Sequence, residues 1–593
     1  VENCDVHAKK LEVGLPSSEC VTLPTKSISK LLDRLEILKS RFGSSQQRAL
    51  EKTLSRLSQQ RFKDAEPLIR FHELLLFVRA YPQNERVRNL AENLLKDFGQ
   101  RVAALHDADM DLTPLESPEV SGIAGTFVTD TFTYPIVRWL TQRHPSRLKL
   151  DWEWFEDENR LSETWPRFMP LLEEDAFVEA NVPYQQWLHK AQGAANEVAW
   201  LISRFESLKK TDRETAELFD SQKLYVTWTP PYRATRTGMR WSVPEKRIFY
   251  HREPLIQRRE VSFKDELEKP SPTLELLSPD QGERLLDLAR EASTIRYREL
   301  YGFTHGDPAR VFKTPLGRGV DLFITSLPPQ ARLPLRAYHA AMIFKNGVVV
   351  GYFEGLSLFE RMESGFNLYY TFRDGETAWL YARTLNVFRH LLGVTAFAID
   401  PYQIGYENEE GIESGAFWFY RKLGFRPTSP DILKLVTQEE KKIASRSGYR
   451  TTAQTLRKLA AGPMIYELDQ ESSGDWDRFQ LRNVGLAVQR RIAAKFNGDS
   501  ERMREDSLKR LTRLLDSPAE RNNVNARSAW SGFAVTLSLV EDLGDWSKTE
   551  KQLLTRIIRA KARGDESSYS KLMQKHPRLR NQLIRLGSQS GLK

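Results

Sequence analysis

The spacing of apolar positions changes character twice along the chain. Over residues 26–105 it is helical: Leu31, Leu35 and Leu38 fall on one face, as do Leu50, Leu54 and Leu57. Further helices are predicted at 68–78 and 87–105, with Pro67 and Pro82 at helix starts or turns. No fixed period recurs, so the pattern predicts an irregular helical domain rather than a solenoid. Residues 116–270 mix both periodicities and are rich in Trp and Pro. They predict a long helix over 181–209 and strands at 223–228 and 246–250. Lys269-Pro270-Ser271-Pro272 reads as a linker.

Beyond that linker helix and strand alternate. A helix is predicted at 279–300, then strands at 320–324 and 337–344. Asn346-Gly347 marks a tight hairpin, with 348–358 as its return strand and 365–372 as the next. A helix over 376–392 stops at Gly393, and an apolar strand follows at 395–399. From 437 onward the pattern is helical and polar, with candidates at 476–496, 502–515, 530–543, 548–563 and 569–586. Pro577 breaks the last of these. The whole predicts an α+β protein: a mixed sheet with flanking helices, between helical N- and C-terminal regions.

The stretch Ala416-Phe417-Trp418-Phe419-Tyr420-Arg421-Lys422-Leu423-Gly424-Phe425 is a short helix, a Leu-Gly stop and an aromatic that starts a strand. It resembles the closing helix of the GNAT superfamily, the acyl-CoA-dependent N-acyltransferases, usually written Ala-x-x-x-Tyr-x-x-x-Gly-Phe. The order of elements over 275–440 is similar to the family's. The resemblance covers a GNAT-like domain 275–440, and the patterning on either side divides the rest into a flexible terminus 1–25, a helical domain 26–115, a mixed region 116–270 and a helical region 441–593 with the basic tail 551–593.

The resemblance implies transfer of an acyl group from acetyl-CoA, or another acyl-CoA, to an amine on a small molecule or a protein. In that family the phosphate-binding turn is Arg/Gln-x-x-Gly-x-Gly/Ala, and Arg373-Asp374-Gly375-Glu376-Thr377-Ala378 stands in its place. There, backbone N–H groups at a helix N-terminus face the pyrophosphate. Arg373 and Ala378 match; Gly375 comes one position early, and Glu376 replaces the middle Gly. A carboxylate there repels phosphate, although Asp374 or Glu376 equally suits a helix cap. Glu413 stands where the family often has an Asn touching the pantetheine.

Tyr420 is the implied general acid, and it also fits a core face with Phe417 and Leu423. Glu354 and Asp400 are the candidate bases. Glu354 also reads as an exposed strand carboxylate, and Asp400 as a cap before Pro401. The loop 400–410 is dense in hydrogen-bonding groups and suits substrate contacts.

Composition narrows the field. Cys4 and Cys20 are the two cysteines, which is no disulfide framework, and no Cys/His cluster has zinc spacing, so no metal is expected. Residues 1–24 lack an apolar signal core, and nowhere do about 18 uncharged apolar residues run together. A cytoplasmic protein without a membrane span is expected. His106-Asp107-Ala108-Asp109-Met110-Asp111 reads as an acidic loop, since the Gly and final Glu of a calcium loop are missing.

The net charge of +9 resides in residues 551–593, which hold 11 Lys/Arg and 2 Asp/Glu. Elsewhere basic and acidic residues number 77 each. That basic tail is a candidate nucleic-acid surface. With Glu376 it leaves open a donor of aminoacyl-tRNA type, or a non-catalytic scaffold that binds nucleic acid.

Overall fold

The computed structural model describes residues 25–153, 161, 164–168, 183–469, 471, 473–516, 523–564 and 566–589. The terminus 1–24 and most of the acidic, aromatic run 151–158 lie outside the described residues.

Helices α1 (Thr25–Leu38), α2 (Ser44–Ser58), α3 (Ala65–Ala80), α4 (Glu85–Lys96) and α5 (Phe98–His106) open the chain. Leu50, Leu54 and Leu57 are buried together on α2. On α1, Leu32 and Leu35 hold the core while Leu31 packs at its margin. Helix α3 buries Leu68, Phe71, Leu74, Leu75 and Leu76, which lie all round it, as a central helix must.

Next come three short strands, β1 (Val128–Asp130), β2 (Leu148–Leu150) and β3 (Val226–Trp228), paired in the order β1-β3-β2. The long helix expected at 181–209 is two helices, Tyr184–Ala191 and Glu197–Ser207. Gly193 turns the chain between them at φ 60°, and Asn196 caps the second. The strand expected at 246–250 is a 3-10 turn, Glu245–Arg247. Its backbone finds loop partners instead of a ladder: the N–H of Phe249 donates to Asn346 Oδ1, and that of His251 to the Pro82 carbonyl.

Strands β4 (Glu275–Leu276), β5 (Val311–Gly317), β6 (Val320–Ser326), β7 (Ala337–Lys345), β8 (Val348–Leu358), β9 (Arg361–Leu368), β10 (Ala396–Ile399), β11 (Arg426–Pro427) and β12 (Met464–Glu467) form a mixed sheet. Their order is β11-β12-β10-β9-β8-β7-β6-β5-β4. Among the described residues β9/β10 is its one parallel pair. Asn346 (φ 48°) and Gly347 (φ 78°) make the tight β7–β8 turn that the sequence predicts. The sheet runs past the expected boundary at 440, because β12 inserts between β10 and β11.

Alternation on β10 shows how the sheet is covered. Phe397 and Ile399 face the core shared with the N-terminal helices and with the helix Thr377–Leu392. Ala396 and Ala398 face a second core built with Trp476, Trp530, Phe533, Ile557 and Tyr569 of the C-terminal helices. The expected last helix is two, Glu566–Met573 and Pro577–Ser588, split just before Pro577. Among the described residues no helix is long and apolar enough to cross a membrane.

Candidate functional site

Strand β10 pairs with β9 only through Arg361, Met362 and Glu363. Beyond them β9 continues to Leu368 while β10 ends at Ile399, so the two strands part. A cavity of about 810 Å³ occupies that opening. Phe366, Asn367 and Leu368 of β9 and Tyr402 and Gln403 after β10 form part of its wall.

One side of the wall is the start of the helix Thr377–Leu392. Arg373, Asp374, Gly375, Thr377 and Ala378 all line the cavity. Among the described residues no side chain of the N-cap residue caps this helix, so the N–H groups of Thr377 and Ala378 are left for another acceptor. Glu376 does not line it. Its carboxylate is 1% exposed, 2.5 Å from Arg318 Nη2 and 3.3 Å from Lys345 Nζ, and it accepts the N–H of Ile256 at 3.2 Å. Burial alone would raise this carboxyl, but the two cations outweigh burial and hold it below its ordinary value. The charge expected to repel phosphate is therefore neutralised on the far side of the turn. Gly375 is required by packing: a Cβ there would come within 2.4 Å of the Tyr81 hydroxyl oxygen.

On the opposite side stands the helix Ala416–Arg421. Its Tyr420 ring packs edge-on against Tyr381 and Phe425, with centroids 5.6 Å away in both cases. The residue is 3% exposed yet lines the cavity, and burial pushes its phenol well above the ordinary 10. The core-face reading holds, and the residue also forms cavity wall.

Glu354, on β8 between Ala340 of β7 and Gly365 of β9, also lines the cavity. It accepts a hydrogen bond from the Tyr338 hydroxyl, which itself accepts the Gly302 N–H at 3.2 Å. Burial raises the Glu354 carboxyl above its ordinary 4.5, although the Tyr338 bond opposes the rise. Glu299 is a second half-buried carboxylate of the wall, holding the Thr133 N–H at 2.9 Å, and partial burial raises it too. Glu410 links two cations. It contacts Arg373, and Arg298 at 3.1 Å, and these pairs outweigh burial and lower its carboxyl.

Asp400 and Glu413 take no part in this wall. Asp400 accepts the Tyr402 N–H at 2.9 Å and caps the turn Pro401–Ile404, while Glu413 is exposed at the end of the helix Glu409–Glu413. Sequence reasoning missed Arg258, the adjacent pair Arg298 and Glu299, and Tyr352, which reach the cavity from three separate segments of the chain. Gln403 and Glu410 fall in the loop whose polar density marked it. Among the described residues no group of three His, Cys, Asp or Glu side chains is placed to hold a metal ion.

Part of the basic tail is built into the fold, while Arg556, Arg559, Arg563, Lys571, Lys575 and Arg585 are exposed. Leu554, Ile557 and Ile558 are buried, and Lys561 is buried against Glu566. Arg578 meets Asp542 at 2.6 Å, and Arg580 meets Glu360 at 2.5 Å and Asp475 at 2.9 Å. Comparison of the chain with protein-family models, with curated proteins and with solved structures gave no match.

Proposed function

We propose that this protein is a GNAT-type N-acyltransferase that moves an acyl group from an acyl-CoA thioester to an amine held in the cavity between β9 and β10. One observation carries the reading: an uncapped helix N-terminus and Tyr420 line the same cavity, at the point where the one parallel strand pair splits. An anionic donor suits the free N–H groups of Thr377 and Ala378. The extended arm of a thioester suits the edge of β9 that faces β10, which is left without a strand partner past Glu363 while the other edge stays paired to β8.

Glu354 takes a proton from the acceptor ammonium, and the freed amine attacks the thioester carbonyl carbon. The C–S bond then breaks as the C–N bond forms. Tyr420, with a phenol far less acidic than a thiol of pKa about 8.5, stabilises the departing thiolate by donating a hydrogen bond. The second proton on the attacking nitrogen leaves through water, which relays it to the thiolate, so the products are a neutral amide and a thiol.

The aminoacyl-tRNA alternative drew on Glu376 and the basic tail. Glu376 faces Arg318 and Lys345 and so gives it no support, whereas Arg556, Arg559, Arg563, Lys571, Lys575 and Arg585 are exposed and leave the tail as its remaining argument. Acetyl-CoA or a longer acyl-CoA is expected to raise the unfolding midpoint, with about 2.7 kcal/mol of stabilisation at 100 times its Kd. Tyr420→Phe is expected to keep that stabilisation and lower turnover about 100-fold. No shift with CoA or any acyl-CoA sinks the proposal, and unchanged turnover in Tyr420→Phe removes that residue from the mechanism.

A further inference from the structure

The segment 255–268 lies outside the stretch that carries the family resemblance, yet it is fastened to the helix Thr377–Leu392. Phe263 stacks on Tyr381 with ring centroids 5.9 Å apart. Asn386 Nδ2 donates to the Leu267 and Lys269 carbonyls at 3.0 and 2.7 Å, and Arg389 Nη1 to the Leu267 carbonyl at 2.7 Å. The start of the segment closes on the cavity between β9 and β10. Ile256, Gln257 and Arg258 line it together with Thr377, Ala378 and Tyr420. The Ile256 N–H donates to Glu376, one residue before the helix begins. Arg258 Nη1 donates at 3.2 Å to the carbonyl of Lys422, two residues after Tyr420. Residues 256–258 therefore join the two helices that face each other across the cavity.

Arg258 differs from the other cations of this wall. Arg298 and Arg373 share the Glu410 carboxylate. Arg258 has no acidic partner among the described residues, and a bond to a neutral carbonyl leaves its charge uncompensated. Glu260, the acid of the same turn, instead accepts the Gln257 N–H at 2.6 Å. Asp374 of the wall meets Lys39 at 2.9 Å. Lys422, exposed at the contact with Arg258, is likewise without an acidic partner among the described residues. An uncompensated guanidinium suits a phosphate, to which its planar fork presents two parallel N–H groups.

We infer that Arg258 selects the donor by holding the 3′-phosphate on the adenosine of CoA, so that the protein distinguishes CoA from dephospho-CoA. The inference rests on the acyltransferase reading. With the thiol at Tyr420 and the pyrophosphate at Thr377 and Ala378, the adenosine is the part of the donor left to meet residues 256–258.

Calorimetric titration of the full chain with CoA and with dephospho-CoA tests it. The unaltered protein is expected to bind CoA about fivefold more tightly, as for one exposed charge contact. That preference should shrink between about 50 mM and about 300 mM salt. Arg258→Gln is expected to weaken CoA about fivefold and to leave dephospho-CoA unchanged, which also shows that the variant folds. Equal affinity for the two ligands, or a preference that survives Arg258→Gln, overturns the inference and leaves the donor reading standing. A variant that weakens both ligands alike shows that Arg258 shapes the wall without reading the phosphate, and overturns it too. Binding of neither ligand to the unaltered protein overturns the donor reading and the inference with it.

Discussion

Glu354 and Tyr420 face one cavity from opposite kinds of support. Glu354 is held by a hydroxyl, Tyr338, from the neighbouring strand, while Tyr420 is held by the rings of Tyr381 and Phe425. In the fold the Glu354 carboxyl keeps its proton above the ordinary 4.5. The folded state thus binds a proton that the unfolded chain has already released, so stability falls as pH rises from the ordinary value through the raised one. Glu354→Gln is expected to flatten that slope in urea unfolding measured across this window. Activity toward an amine should rise with pH over the same window as the base ionises. The variant should lose that limb and about 100-fold in rate. An unchanged pH profile would remove Glu354 from the role of base. That Tyr420 belongs to a short aromatic helix was legible in its spacing with Phe417 and Leu423. Its place in the cavity wall depends on β9 and β10, which no local pattern shows.

At the scale of elements, the turn into the helix Thr377–Leu392 decides whether an anion fits. Its position and its stop at Gly393 (φ 78°) follow from the sequence. The direction of Glu376 does not, because Arg318 comes from the β5–β6 turn and Lys345 from the end of β7. Gly375 is likewise explained by Tyr81, nearly three hundred residues earlier. Gly375→Ala is expected to cost about 1–3 kcal/mol in denaturant unfolding, as its methyl meets the Tyr81 hydroxyl. Tyr81→Phe in the same chain should recover part of the loss, and strict additivity of the two changes would contradict that contact. The split of β9 from β10 has the same status. Both strands are readable from their apolar runs, whereas the residue at which they part is set by packing above and below them.

At the scale of the whole molecule, the sheet lies between two cores, and the N-terminal and C-terminal helices complete them. The basic tail illustrates the limit of a charge count. Its excess of Lys and Arg is plain in the sequence, yet Lys561 is buried on Glu566 and Arg580 bridges Glu360 and Asp475. Glu566→Gln leaves the buried Lys561 ammonium with the Arg336 carbonyl but no counter-charge, and is expected to cost about 3 kcal/mol in urea unfolding. A change below about 0.5 kcal/mol would mean the pair does not hold the tail to β7. By itself the sequence determined the α+β class, the helix stop at Gly393, the helix break before Pro577, the tight turn at Asn346-Gly347 and the short aromatic helix around Tyr420. These rest on local spacing, turn chemistry and dihedral preference, which act within a few residues. Only the tertiary structure decided that Glu376 turns away from the cavity, that Asp400 and Glu413 stand outside it, and that Arg298, Glu299 and Glu410 belong to it. Burial and ion pairing between distant segments fix those positions, and their energies depend on neighbours that local sequence does not specify.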